Sequence, residues 1–148
     1  MIELRRAKQE DIPSILELVN SLALFEKAPD EVTATIQDYI ENGFGANPIF
    51  FSFLAYDEGK LAGFALWYFR FSTWKGKRFY LEDLYVKDEF RGKGIGQKLI
   101  EACIEEAKQT KCTGMMWQVL DWNTPAIEFY KKYNAQFDGE WINVNLHL

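Results

Sequence analysis

The sequence predicts an α/β fold, in which residues 1–148 form a single domain with a mixed sheet flanked by helices. First, 148 residues with 48% apolar side chains are enough for one hydrophobic core. Second, strand-like alternation and helix-like spacing follow one another in the order β-α-α-β-β-β-α-β-α-β, without a repeat or a linker. Third, residues 79–107 have the pattern of a strand, a glycine-rich loop and an amphipathic helix, around which the rest of the chain is organised.

The N-terminal part of the chain predicts one strand and two helices. Residues 2–6 alternate as a strand, and residues 28–30 end the helix that follows. A second, shorter helix begins near Thr33, a candidate N-cap, and ends at residues 42–43. The apolar face of the first helix consists of Ile12, Ile15, Leu16, Val19 and Leu22.

The middle of the chain predicts three consecutive strands. Residues 50–56 and 61–71 are strands joined by a hairpin turn at residues 57–60. Residues 72–77 turn the chain into the strand at residues 79–86.

After the glycine-rich loop, the pattern predicts a helix, a strand, a helix and a last strand. The first helix has one apolar face, made of Ile95, Leu99, Ile100, Cys103, Ile104 and Ala107. Residues 115–120 form the next strand, and Asn123 caps a helix with Pro125 in its first turn. Asn134 suits the left-handed conformation that ends this helix. Apolar and polar residues alternate in the last strand, residues 142–148.

Composition limits the classes of partner. The net charge of −5 argues against nucleic acid, and no apolar run approaches the roughly 20 residues of a membrane helix. The chain begins with strand-like alternation instead of a signal peptide. Cys103 and Cys112 have no metal-ligand spacing and suit reduced structural thiols. We therefore expect a cytoplasmic protein with no metal, membrane or nucleic-acid partner.

Three glycines at alternate positions, Gly92, Gly94 and Gly96, stand where a helix begins. The first N–H groups of a helix have no internal partner and favour an anion, and glycine lets a phosphate lie against the backbone. Arg91 and Lys93 add positive charge at the rim. A P-loop is excluded because Gly94 follows Lys93 where Ser or Thr is required. The dinucleotide fingerprint is excluded because Gln97 replaces its third glycine.

The remaining pattern, Arg91-x-x-Gly94-x-Gly96, resembles the pyrophosphate loop of the GNAT superfamily of N-acetyltransferases. With residues 43–45, Trp74-x-Gly76-Lys77, residues 80–83, residues 123–126 and residues 129–131, the chain resembles the spermidine/spermine (diamine) acetyltransferase branch over nearly its whole length. The resemblance implies the GNAT fold, a mostly antiparallel twisted sheet flanked by helices, and acetyl-CoA as cosubstrate. It also implies a homodimer.

The resemblance assigns the coenzyme contacts to three parts of the chain. The backbone of the strand end at Leu84, Tyr85 and Val86 meets the acetyl carbonyl and the pantetheine arm. The other contacts come from the glycine loop with the first helical turn and from the capped helix: Arg91, Gly92, Lys93, Gly94, Ile95, Gly96, Gln97, Asn123, Thr124, Pro125, Ala126 and Lys132.

Charge is distributed unevenly along the chain. Residues 1–60 carry 11 acidic and 5 basic residues, whereas residues 61–148 carry 11 and 12. The basic excess coincides with the half that would bind an anionic coenzyme, and the acidic half would attract a cationic substrate. An acidic surface that keeps the protein soluble explains the same pattern.

Two carboxylates, Glu82 and Asp83, interrupt an otherwise apolar strand. Neighbouring side chains of a regular strand point to opposite faces, so we expect the two not to share a face. An unpaired buried carboxylate is costly, so at least one faces solvent, a cleft or a cation, and a structural ion pair is the simpler explanation. The resemblance assigns Glu82 the role of general base, directly or through water, since an ammonium must lose a proton before it attacks a thioester.

Tyr130 lies on the capped helix among Ile127, Phe129 and Tyr133, a spacing that also suits a core position. The resemblance makes it the general acid that protonates the departing thiolate of coenzyme A. A Cys–His nucleophile pair is excluded because Cys103 faces the core and the only histidine is His147.

The substrate residues implied by the resemblance are Phe25, Glu26, Glu82, Met116, Trp117 and Gln118. Glu26 matches an acidic residue that receives a distal ammonium, although Phe25 stands where a tyrosine is expected. Arg70 and Lys75 add positive charge near Trp74. This charge is also compatible with a substrate that carries a carboxylate.

We therefore expect an acetyl-CoA-dependent N-acetyltransferase acting on a primary amine of a small polyamine or diamine. The alternatives are thialysine or another lysine-like amino acid, a protein-lysine or N-terminal acceptor, and a non-catalytic acyl-CoA-binding regulatory module.

Overall fold

A computed structural model describes all of residues 1–148. Contacts group them into two compact units, Met1–Trp117 and Gln118–Leu148, which we describe separately. That the whole chain forms one domain stays a prediction. The first unit contains β1 (Ile2–Arg6), α1 (Ile12–Phe25), α2 (Ile36–Gly43), β2 (Phe51–Asp57), β3 (Lys60–Ser72), β4 (Gly76–Val86), α3 (Ile95–Gln109) and β5 (Gly114–Met116). The second contains α4 (Thr124–Lys131).

The sheet has the strand order β1-β2-β3-β4-β5. Neighbouring strands from β1 to β4 are antiparallel, and β5 joins β4 in parallel. This confirms the predicted class, a mixed and mostly antiparallel sheet flanked by helices. It also confirms the predicted order of the first nine elements.

Two hydrophobic clusters cover opposite faces of the sheet. The α3 side chains Leu99 and Cys103 pack with Trp67 and Phe79, whose rings stack with centroids 5.2 Å apart. On the other face, α1 packs on β2 and β3, with Leu18 buried against Phe64 and other apolar side chains. Each face therefore has its own core, and the face under α1 and α2 also carries the site described below.

The second helix begins two residues later than the sequence suggested. Thr35, not Thr33, is the N-cap: its hydroxyl oxygen accepts a hydrogen bond from the Asp38 N–H at 3.2 Å. The Asp38 carboxylate accepts one from the Thr35 N–H at 2.7 Å. Only Thr35 has an acceptor three residues later, so only Thr35 completes a capping box.

Two predicted strands differ from the structure. The strand predicted at residues 115–120 is the short β5, and residues 117–120 lie outside it. Residues 142–148 form no strand, and their apolar side chains are exposed, from 85% for Leu146 to fully exposed for Leu148. Alternation predicts which side chains share a face, but a strand also needs a partner. The unit that holds residues 142–148 contains no strand to pair with.

Candidate active site

A β-bulge interrupts β4 at Glu82. Trp67 pairs with Leu81, but the preceding residue, Leu66, pairs with Asp83, so Glu82 is the extra residue of β4. The bulge resets the alternation of the strand: Tyr85 joins the cluster under α1, while Leu81 and Leu84 stay with the cluster under α3.

Because of the bulge, Glu82 and Asp83 line the same cavity. The expectation that they face opposite sides is therefore wrong, since it assumed a regular pleat. This cavity, of about 720 Å³, lies between the sheet and the segment that includes α1 and α2. Its lining includes five acidic side chains and no lysine, arginine or histidine; we call it the acidic cavity, and its carboxylates are Glu26, Glu31, Asp38, Glu82 and Asp83.

The position of Asp83 strongly affects its protonation. Burial is the main cause, and repulsion from the carboxylates of Glu82 and Glu26 adds to it; together they raise the pKa of Asp83 to about 7. Burial also raises the pKa of Glu26. Burial, followed by the negative charges of Asp83 and Glu82, raises the pKa of Tyr39 on α2. At neutral pH Asp83 is therefore protonated in a substantial part of the molecules, whereas an exposed aspartate is almost fully ionised.

The glycine loop leaves open space beside its backbone. Gly92 and Gly94 have φ angles of +80° and +81°, and a Cβ built on either would meet no atom within 4 Å. Gly94 is the N-cap residue of α3, so the free N–H groups of this helix begin next to it. Left-handed glycines, open space and a helix N-terminus together fit a pyrophosphate group.

The two cations of this loop are both paired with carboxylates. Lys93 Nζ lies 2.7 Å from Asp57 Oδ2, which belongs to β2. Arg91 Nη1 lies 2.9 Å from Asp88 Oδ1, and Arg91 Nε donates to the Val86 carbonyl oxygen at 3.1 Å. The loop therefore presents backbone N–H groups and cations that are already partly neutralised.

The end of β4 has an open edge. β3 pairs with β4 from Gly76 to Val86, whereas β5 pairs with it only from Arg78 to Tyr80. Beyond Tyr80, one edge of β4 has no neighbouring strand, and alternate backbone groups on that edge point away from the sheet. This edge includes Leu84, Tyr85 and Val86, which the resemblance assigns to the coenzyme.

The remaining coenzyme residues lie in two places. Ile95, Gly96 and Gln97 form the first turn of α3, and Ile95 is buried in the core. Asn123, Thr124, Pro125, Ala126 and Lys132 belong to the second unit.

In that second unit, α4 is capped as predicted. Asn123 Oδ1 accepts a hydrogen bond from the Ala126 N–H at 3.4 Å, and Pro125 lies in the first turn. Asn134 has a left-handed φ of 58°. Tyr130 lies on α4 with its side chain 7% exposed, and its ring packs edge-on against Phe129, with centroids 5.6 Å apart.

The predicted substrate residues do not all come together. Glu26 and Glu82 line the acidic cavity, but Phe25 lies beside a smaller cavity of about 230 Å³, where the Arg91 guanidinium covers its ring at 5.0 Å. Met116 and Trp117, at the end of β5, are not part of the acidic cavity wall. Gln118 belongs to the second unit, where its amide donates to Asn143 Oδ1 at 2.9 Å.

Sequence reasoning assigned no site role to three acidic members of the cavity: Glu31, Asp38 and Asp83. The acidic excess of residues 1–60 was the only signal for the first two. For Asp83 the sequence predicted only that it does not share a face with Glu82, which the cavity lining contradicts. No helix has both the length and the apolar character needed to cross a membrane, and no group of His, Cys, Asp or Glu side chains is placed to hold a metal ion.

Cys103 is fully buried, as predicted, and burial raises its pKa to about 12. A thiol that stays protonated at neutral pH is a poor nucleophile.

Comparison with known proteins gives one family. The profile of the Acetyltransferase (GNAT) family matches residues 12–135. The chain is 39% identical over 143 residues to a thialysine N-epsilon-acetyltransferase of Bos taurus, covering 91% of this chain and 84% of that protein. It is 36% identical over 140 residues to spermidine/spermine N(1)-acetyltransferase-like protein 1 of Homo sapiens, covering 90% of this chain and 20% of that protein.

A solved structure has the same fold. It is a predicted acetyltransferase of Clostridium acetobutylicum with acetyl-CoA, which superposes with a TM-score of 0.72 at 21% identity. The match covers 98% of this chain and 96% of that one.

Proposed function

This chain belongs to the GNAT family of acetyltransferases, and we propose that it transfers the acetyl group of acetyl-CoA to a primary amine of a small polyamine or diamine. It is an acetyl-transfer enzyme, which sets aside the non-catalytic regulatory module. The observation that carries the choice of substrate is the acidic cavity, with five carboxylates and no basic side chain in its wall.

A substrate with two or more ammonium groups suits this charge distribution. One ammonium group loses its proton and reacts, while a second stays charged and needs an anionic partner. Glu26, on the helix side of the cavity, can receive that second group, while Glu82 lies on the sheet side. Carboxylates that lie close together without cations of the protein repel one another, and a bound polycation reduces that repulsion.

An amino acid such as thialysine is the second candidate, because the Bos taurus relative is named for that substrate. Its carboxylate would need a cation. Arg70 is a candidate on β3, but its guanidinium lies over the Tyr80 ring at 5.5 Å, and Arg70 is not part of the cavity wall. A carboxylate in the acidic cavity would meet only like charges.

We propose that the chain's own residues move two protons. The Glu82 carboxylate accepts the proton of the reacting ammonium, directly or through water. Tyr130 holds a proton at its phenol oxygen for the departing group. Both roles come from the resemblance. The position of Glu82 in the cavity wall supports the first role.

Acetyl-CoA, when bound, supplies an activated acetyl group. We propose that the N–H groups after Gly92 and Gly94 hold its pyrophosphate and that the open edge at residues 84–86 holds its pantetheine arm. The left-handed glycines and the strand pairing described above support this placement.

We also propose a homodimer in the cytoplasm, with no nucleic-acid or membrane partner. The dimer comes from the resemblance, and the exposed apolar side chains of residues 142–148 support it. Light scattering on the purified protein measures the subunit number.

An acetyl-transfer screen tests the substrate. The purified enzyme is assayed with acetyl-CoA and spermidine, putrescine, a monoamine of equal length, thialysine or a lysine-containing peptide. We expect kcat/KM to be highest for spermidine or putrescine. Preference for thialysine, or no reaction with any polyamine, would replace the proposed substrate with an amino acid.

A further inference from the structure

The inference that follows rests on the proposed function and concerns Asp83, which neither the motifs nor the resemblance assigns. The bulge at Glu82 turns the Asp83 side chain toward the acidic cavity, next to a second carboxylate in the chain. A regular strand would have placed one of the two on the α3 face, among apolar side chains. The bulge therefore gives this site a pair of adjacent carboxylates.

Every element around the cavity adds negative charge or a neutral group near Asp83. Glu26 comes from the end of α1, Glu31 from the segment before α2, and Asp38 and Tyr39 from α2 itself. β3 contributes Tyr68, and β4 contributes Glu82. Asp83 makes no ion pair.

Two basic side chains, Arg70 over the Tyr80 ring and Arg91 over the Phe25 ring, both lie outside the cavity wall. No Lys, Arg or His side chain lines the cavity with Asp83, so a proton is the simplest group that can compensate its charge. The pKa of about 7 agrees with this arrangement. Because the charges of Glu82 and Glu26 act on Asp83, the titration of Asp83 depends on these neighbours.

We propose that Asp83 holds a proton while the acidic cavity is empty and releases it when a substrate ammonium enters, so that cation binding and proton release are coupled. The O–H bond of the Asp83 carboxylic acid breaks, its proton passes to solvent, and the carboxylate pairs with the ammonium group. The N–H bonds of that ammonium group stay intact in this step. Asp83 is thus a specificity-determining residue, since only a cation replaces the lost proton.

The coupling has a definite pH dependence. Binding favours the ionised form of Asp83, so affinity for a polyamine rises as pH rises through the pKa of Asp83 and then levels off. Primary ammonium groups, with an ordinary pKa near 10.4, stay charged over this range. For a group that titrates near pH 7 in the empty cavity and is ionised in the complex, the affinity at pH 8 is about tenfold higher than at pH 6.

Calorimetry measures this coupling without turnover. Spermidine is titrated into the full-length protein in the absence of acetyl-CoA, at pH 6, 7 and 8, in two buffers that differ in protonation enthalpy. At pH 7 we expect release of about half a proton per bound spermidine, and an affinity that rises about tenfold from pH 6 to pH 8. Binding without proton release, at an affinity independent of pH, overturns the coupling.

Three variants separate Asp83 from its neighbours. D83N should bind spermidine with little pH dependence and release almost no proton, whereas D83E should restore both. The matched control is E31Q, which removes one charge from the same cavity; it should weaken binding but keep the proton release. Equal proton release by D83N and the wild type would assign the proton to another group and overturn the proposal.

A spectroscopic measurement covers the case in which D83N does not fold. Infrared difference spectra of the wild type labelled with carboxyl-¹³C aspartate should lose the band of a protonated carboxyl group on addition of spermidine at pH 7. Persistence of that band overturns the proposal. If spermidine does not bind to the wild type at any pH, the proposed polyamine function fails as well, and thus the two failures are distinguishable.

Discussion

Lys93 Nζ lies 2.7 Å from Asp57 Oδ2, so the lysine of the glycine loop is bound to the end of β2. The Asp57 side chain is 11% exposed and that of Lys93 is 51% exposed. The sequence predicted that Lys93 adds positive charge at the rim of a phosphate site. The structure shows a cation whose charge is partly neutralised by Asp57 and whose ion pair joins the loop to the sheet.

This pair predicts an acid-sensitive contribution to stability. The ammonium group of Lys93 holds the pKa of Asp57 below its usual value. A carboxyl whose folded-state pKa is lowered stabilises the fold above its unfolded pKa, near 3.9, and that contribution is lost as pH falls through the lower, folded value. The difference between the free energies of unfolding of the wild type and K93A, from urea titrations, should therefore be smaller at pH 3 than at pH 7.

The control for this prediction is K98A, since Lys98 is on α3 but makes no ion pair in the structure. Its difference from the wild type should not depend on pH. A K93A difference that stays constant from pH 7 to pH 3 contradicts the role of the pair.

The second prediction concerns coenzyme binding at Gly94. In G94V a branched side chain occupies the open space beside the loop, and the residue must keep a φ of +81°. Affinity for acetyl-CoA, measured by calorimetry, should fall by tenfold or more, about 1.4 kcal/mol. G59V is the matched control, because Gly59 has a φ of +78° and equally open space in the β2–β3 turn. G59V should lose stability but keep its affinity for acetyl-CoA. Equal losses of affinity in G94V and G59V would contradict coenzyme binding at the glycine loop.

The third prediction concerns Tyr130. Y130F keeps the ring and its packing against Phe129, so melting temperature and affinity for acetyl-CoA should change little. If the phenol supplies a proton, kcat should fall by roughly 100-fold or more. Y133F, which removes a hydroxyl from a nearby tyrosine, should keep kcat within about twofold of the wild type. Near-normal turnover of Y130F would show that Tyr130 is a core residue only.

The glycine loop, the buried face of α3 and the Asn123 cap could be predicted from the sequence because each depends on neighbouring residues. Spacing along a helix and side-chain chemistry at a cap are local properties. The start of α2 needed one more comparison, since Thr33 and Thr35 are both good caps and Asp38 decides between them.

The bulge at Glu82 could not be predicted in the same way. It arises from the pairing of β4 with β3, a property of two strands and not of one, and it decides that Asp83 reaches the acidic cavity. The segment at residues 142–148 shows the same limit, because its alternation says nothing about a partner strand. Ion pairs across the fold, such as Lys93 with Asp57, are likewise invisible in the sequence.

The last prediction separates the two candidate substrates. Glu26 lines the acidic cavity, and burial raises its pKa, so its carboxylate gains from a nearby ammonium group. Exposed ion pairs contribute about 0.2–1 kcal/mol and partly desolvated pairs contribute more, so E26Q should raise KM for spermidine by about threefold or more. KM for a monoamine, which has no second ammonium, should barely change. E41Q is the control: Glu41 is an exposed acid of α2 outside the cavity wall, and neither KM should respond.

An amino-acid substrate predicts the opposite pattern, because its carboxylate needs a cation. In that case R70A or K75A should raise KM for thialysine, and E26Q should have little effect. Steady-state kinetics of E26Q, R70A and K75A on spermidine, a monoamine and thialysine therefore give two distinct sets of results. Arg70 lies over Tyr80, and no basic side chain lines the acidic cavity. We therefore expect E26Q to raise KM for spermidine only. A large effect of R70A on thialysine, with none of E26Q on spermidine, would make the amino acid the substrate.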